Sequence, residues 1–98
     1  MSVLVEYSIA EGKASEQIDA LHTFINGLKA IGDEGYDYTA FETDDPTRFI
    51  ALFEFTDEAA QKRFVDSAPF TAYREGSVGR FTNPPAVTVV KLVASTKG

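Results

Sequence analysis

The chain has no cysteine, no tryptophan and a single histidine. Without cysteine, disulfides, zinc–thiolate sites and thiol catalysis are excluded. With one histidine, any metal site would have to be built mostly from carboxylates. Basic residues are also scarce, nine Lys and Arg against fifteen Asp and Glu, for a net charge of −6. Binding to phosphate backbones needs clustered cations. The nine basic residues are dispersed, so no nucleic-acid partner is expected. No apolar run approaches the ~20 residues of a membrane-spanning helix, so no membrane partner is expected either. The opening MSVLVEYSIAEG has no basic n-region, and its apolar run breaks at Glu6, unlike a signal peptide. These absences point to a cytoplasmic protein.

The chain does have aromatic residues, eight Phe and four Tyr, in a hydrophobic fraction of 44%. Its 98 residues suit one domain, 1–98. Val3 to Ala10 alternates: Val3, Val5, Tyr7 and Ile9 share one face, and Leu4, Glu6 and Ser8 the other. That is strand periodicity. After a Glu11-Gly12-Lys13 turn, Ser15 suits an N-cap and Glu16 the first turn of a helix to about Ile31. Ile18, Leu21, Phe24, Ile25, Leu28 and Ile31 form its apolar stripe, with His22 at the edge. Gly32 suits the position just past the end.

Tyr36 to Thr43 is predicted as a strand, and Asp44-Asp45-Pro46-Thr47 as the turn of a hairpin. Arg48 to Phe55 is the next strand, with Phe49, Ala51, Phe53 and Phe55 on one face. Thr56 or Asp57 caps a second helix to about Ser67, with Ala60 and Phe64 inward. Pro69 opens a short helix, Phe70 to Glu75, ended by Gly76. A mobile loop, 76–85, precedes a last strand from Ala86 to Ala94. The order βαββαβ predicts an α+β, ferredoxin-like plait, an antiparallel sheet with its helices on one face. The other face is not simply polar, because Leu4, Ile50 and Leu52 lie there, joined by Val90 and Leu92. Two helices cover only one face, so a second apolar face predicts a homodimer through the sheets. Glu6 and Glu54 share that face and are read as structural.

Two stretches carry a family resemblance. VEYSIAEGKASEQI is a strand, a Gly-Lys turn and an amphipathic helix. Glu54-Phe55-Thr56-Asp57-Glu58-Ala59-Ala60 is a strand ending in Glu-x-aromatic that opens a helix, followed by SAPFTAYRE and a Val-rich strand. The chain resembles the antibiotic biosynthesis monooxygenase family of the dimeric α/β-barrel superfamily. The resemblance implies two sheets packed face to face, helices outside, and a pocket in each subunit between sheet and helices. It also implies oxidation of phenols or quinols by O₂ without bound metal or flavin, the activity of several members; others degrade haem. The sequence departs from the family at Phe55, where Trp is usual, and at Phe64, where His is common. The His and Asn of the haem-degrading branch fall at Arg74 and near Tyr7. No haem, flavin or metal is therefore expected.

Among individual residues, His22 is the one side chain whose ordinary pKa lies near neutrality, and so the candidate base for a phenol. Tyr73 and Arg74 lie on the short helix that the resemblance places at the pocket rim, and are candidates to orient an oxyanion; Arg63 is a second candidate cation. Tyr7, Phe49, Phe53, Phe55, Phe64 and Phe70 are candidate pocket-lining residues for a flat ring. Two classes of function follow. One is a cofactor-independent monooxygenase acting on a small aromatic phenol or quinol. The other is a non-catalytic small-molecule binding or assembly module; an isomerase or cyclase is a third use of the scaffold.

Overall fold

The strand at the centre of the sheet sets the layout. In the computed structural model, which describes residues 1–97, β3 (Arg48–Phe55) lies between β2 (Tyr36–Glu42) and β1 (Ser2–Ser8), and β4 (Ala86–Val90) closes the other edge beside β1. All neighbours are antiparallel, and Val5 is opposite Ala51 on one side and Val87 on the other. Three helices, α1 (Ala14–Ile31), α2 (Glu58–Val65) and α3 (Ala68–Gly76), complete the expected ferredoxin-like α+β plait. The alternation in the strands does what its period requires. Tyr7, Tyr36, Phe49, Ala51 and Phe55 are buried on the helix face, while Leu4, Ile50 and Leu52 are half-buried on the other.

The core is aromatic. Phe64 of α2 meets Tyr36 edge-on at 5.2 Å and Phe55 at 5.6 Å. Phe24 of α1 stacks on Tyr73 of α3 at 4.7 Å. Such pairs add about 0.5–1.5 kcal/mol each beyond the area they bury. The helices are set by their ends. Asp57 accepts from the Ala60 N–H at 2.8 Å, and Ser67 accepts from the Phe70 N–H at 3.3 Å, each satisfying a donor that the first turn leaves open. Gly32 ends α1 at φ 69°, the left-handed conformation that glycine adopts without steric cost.

The expected elements shift in several places, among them β1, which ends at Ser8, and α2, which stops at Val65 because Ser67 caps the next helix. α1 begins one residue before Ser15, because the Lys13 carbonyl already accepts from Gln17 at 2.9 Å, and no side chain caps it. Ile31 is half exposed, since the last turn of α1 runs past the core. α3 starts at Ala68. β4 stops at Val90, which is opposite Ser2, so nothing on β1 remains to pair with the next four residues. Leu92, expected on the face of Leu4, therefore lies outside the sheet and is largely exposed. The loop before β4, expected to be mobile, is tied down: Thr82 donates to the Ser8 carbonyl at 3.1 Å and Ala10 to the Arg80 carbonyl at 2.8 Å. Phe81 bridges Ile9, continuing the sheet edge past β1. No helix among the described residues is long and apolar enough to cross a membrane.

Candidate active site

The helix face of the sheet is not filled everywhere. Ala51 puts only a methyl group at the middle of β3, and α3 spans the space above it without closing on β4. The result is a cavity of about 190 Å³ between Tyr7, Tyr38, Ala51 and Phe53 on the strands and Phe70, Tyr73 and Arg74 on α3. Its wall is almost entirely apolar. Phe81 closes one side and stacks flat on Tyr7, with ring centroids 4.6 Å apart and planes 1° from parallel. Arg74 lies over the Phe70 ring at 5.5 Å, within cation–π range.

Behind the rings lies a buried polar chain. Gln17 is fully buried on α1. Its Nε2 donates to the Tyr7 and Tyr73 hydroxyls, both at 2.8 Å, and its Oε1 accepts from Arg80 Nε at 3.0 Å. Arg80 is 7% exposed. It also donates through Nη1 to the Gly76 carbonyl, while its Nη2 has no partner. Among the described residues, no carboxylate pairs with it. The Gly79 backbone, at φ 88°, turns the chain just before this arginine. A buried guanidinium held only by neutral acceptors is an unusual expense in a domain this small.

Burial pushes the Tyr7 phenol well above its ordinary range, and the neighbouring Tyr73 adds to the shift. Burial does the same to Tyr38, again with Tyr73 and Tyr7 contributing. Both phenols therefore stay protonated at any ordinary pH, and serve as hydrogen-bonding groups rather than bases. The electrostatics elsewhere are simpler. Arg63 Nε donates to Asp33 at 2.7 Å and, with the Gly35 N–H, holds the Asp33 carboxyl below the usual carboxylate range. That pairing fastens the loop before β2 to α2 and takes Arg63 away from the cavity.

The structure brings together some of the residues expected at a site and separates others. Tyr7, Phe53, Phe70, Tyr73 and Arg74 share the cavity. Phe55 and Phe64 do not line it; they are buried in the core beside it. Phe49 is buried against Tyr7, Ile9 and Leu21 and lines the groove that holds His22, not the tyrosine cavity. His22 is exposed and lines a different groove, between α1 and the end of β2, with Ile18, Ile25, Phe41 and Glu42. The proposed base and the proposed oxyanion holders are thus in separate pockets. Gln17 and Arg80 were not legible as site residues. Gln17 sits at the first position of the true inward stripe, Gln17, Leu21, Phe24 and Leu28, and a polar residue in register with that stripe was the available signal. Arg80 had none.

Among the described residues, no group of three or more His, Asp or Glu side chains could hold a metal ion. The family model for antibiotic biosynthesis monooxygenases matches residues 1–76. Solved structures share the fold at low identity. One is a protein of Bacteroides thetaiotaomicron, at TM-score 0.84 and 20% identity, over 98% of this chain and 91% of that one. Another, from Mycobacterium tuberculosis, superposes at 0.80 and 20%, over 97% and 96%. A structure named antibiotic biosynthesis monooxygenase superposes at 0.79 and 17%, over 95% and 98%. No curated protein matches the chain. With three-quarters of its residues inside the family model, and the expected plait in place, the chain belongs to the antibiotic biosynthesis monooxygenase family.

Proposed function

We propose that the protein is a cofactor-independent monooxygenase acting on a small aromatic phenol or quinol bound in the tyrosine cavity. The observation that carries this reading is the cavity itself: an apolar slot walled by aromatic rings, with phenols and a buried cation behind it. A flat ring fits such a slot, and a few polar groups suffice to fix its orientation. The chemistry balances without a cofactor. A phenol with an open ring position and one O₂ yield a quinone and one water, and all the electrons come from the substrate. The bound anion gives an electron to O₂, and the protein supplies desolvation and orientation. Tyr73 and Arg74 orient the oxygen. Because His22 lines another groove, the reading favours a substrate that reaches the cavity already ionised, or loses its proton to water. O₂ uptake across a panel of phenols and quinols tests the proposal. Uptake with quinone formation supports it, and no uptake from any compound that binds overturns it.

One observation favours a second reading, a non-catalytic small-molecule binding module. No side chain with an ordinary pKa near neutrality lines the cavity. Saturable binding with no O₂ uptake would select it. In either reading the assembly is a homodimer through the sheet faces, supported by the half-exposed Leu4, Ile50, Leu52 and Val90. A specific interface would bury about 1,000 Å² or more. Light scattering that gives a monomer mass at micromolar concentration would overturn it.

A further inference from the structure

The tyrosine cavity has a dry end and a wet end. Tyr7 and Ala51 at its base are buried, while Arg74 and Pro85 at its opening are exposed. The polar groups along its wall are already committed. The Tyr7 and Tyr73 hydroxyls are held by Gln17, the Tyr38 hydroxyl pairs with that of Tyr73, and the Ser77 hydroxyl donates to the Arg74 carbonyl at 2.8 Å. The exception is the Arg74 side chain. Among the described residues that line the cavity, it alone is charged. Among the described residues, no carboxylate pairs with its guanidinium, which instead lies over the Phe70 ring at 5.5 Å. That contact holds the cation at the opening through its face and leaves its N–H groups free. Such a fork matches the oxygens of an anion. The base offers the opposite environment. A charged or strongly polar group there would lose its water and gain no partner.

We propose that the cavity takes its ligand in one orientation: a flat ring with an anionic oxygen on one edge, at Arg74, and bare hydrocarbon on the opposite edge, at Ala51. The inference rests on the reading that the cavity holds a flat ring. It narrows the substrate class of that reading to a phenolate with its oxygen on one edge, and disfavours a quinol with oxygens at opposite ends. The size agrees. An apolar cavity of about 150 Å³ holds benzene, so about 190 Å³ holds one ring and a small substituent. Tyr73 steers the ring through its face, and Arg74 steers the oxygen through its charge. In the proposed oxidation, a quinone with its second oxygen toward the base meets no partner there, and such a product leaves readily.

Three probes built on one ring test it: 4-methylbenzoate, charged on one edge; 4-methylbenzamide, its neutral isostere; and terephthalate, charged on both edges. Their affinities for the full chain are measured by NMR titration. The wild type should bind 4-methylbenzoate about tenfold more tightly than the amide, the difference that a charged acceptor makes to one hydrogen bond. It should bind terephthalate at least about tenfold more weakly than 4-methylbenzoate, because the second carboxylate would be stripped of water at the base. Arg74→Met keeps the apolar stem and removes the charge, and the acid-to-amide ratio should fall to about one. Arg74→Lys keeps the charge and should restore most of the ratio. A merely structural arginine would move acid and amide together and leave the ratio in place. Equal affinities for acid and amide, a ratio that survives Arg74→Met, or terephthalate binding as tightly as 4-methylbenzoate overturns the inference and leaves the cavity reading intact. Failure of all three probes to bind overturns the cavity reading and this inference with it.

Discussion

Two of the molecule's cavities have the same volume, about 190 Å³ each, and opposite character. One lies against α1 and the open end of β2. It holds His22, the residue that chemistry alone would pick, on an exposed helix face beside Glu42. The other lies against α3 over the centre of the sheet. It holds no residue of that kind, but it is walled by rings and backed by buried hydrogen bonds. Size therefore does not distinguish them; what lies behind the wall does. A groove whose polar groups face water can solvate any charge a ligand brings. A slot whose polar groups are already spoken for can select among ligands. On the proposed function, recognition belongs with the tyrosine cavity, and the expected base lies in the other groove.

The contrast is broken most severely by removing Gln17. Gln17→Leu takes one acceptor from a buried guanidinium and the donor from two phenols, and leaving buried hydrogen-bonding groups unsatisfied costs about 1–3 kcal/mol. Chemical denaturation should show a loss of that size, and a loss under 1 kcal/mol would mean that the cluster is solvated. Next in size is Gly27→Ala. A methyl group there would stand 2.9 Å from the Pro69 ring, forcing α3 away from α1. Overpacking costs about 1–3 kcal/mol, and since α3 roofs the tyrosine cavity, ligand affinity should change with it while the His22 groove does not. Unchanged melting and affinity would show that α3 gives way freely.

A smaller effect comes from the Asp33–Arg63 pair. The Asp33 carboxyl is held below its ordinary value of 3.8, so its contribution is fully present above that pH and is lost as pH falls through the depressed value. Melting temperature should therefore drop more steeply with acid in the wild type than in Asp33→Asn, and parallel curves would count against the pair. The smallest effect sharpens the comparison directly. His22→Gln should leave turnover within about twofold and stability within ±0.5 kcal/mol, as surface substitutions usually do. A fall of 10²–10⁴ in rate, typical for a lost general base, would instead connect the two cavities and restore His22 to the reaction.

The fold was legible because the chain repeats its message at several levels. Period-two runs in Val3–Ile9 and Phe49–Phe55, the Asp57 cap and Gly32 agree with one another, and each is enforced locally. The part of the candidate site carried on α3 was legible for the same reason, since Pro69 and Gly76 announce a short helix, although the cap at Ser67 was read as the end of the helix before it. The polar half was not. Gln17 and Arg80 are 63 residues apart, and nothing in either neighbourhood marks a long-range partner. His22 misled in the opposite way. A helix stripe read from Ile18 to Ile31 is rotated slightly from the one that packs, Gln17 to Leu28. Phase errors of that size move an edge residue from the interior to the surface.

The uncovered edge of the sheet has a consequence for how the protein must be handled. β4 is five residues long and pairs only with β1, and Val87 and Val89 are 64% and 62% exposed on the side where the helices stop short. An unprotected edge with apolar side chains is a template for another strand, and natural sheets usually guard such edges with a charge or a proline. Here Pro84 and Pro85 guard only the first end, and Lys91 follows the last paired residue. Between them the guard is missing. Preparations should gain turbidity with concentration and time, and Val89→Lys should keep them clear.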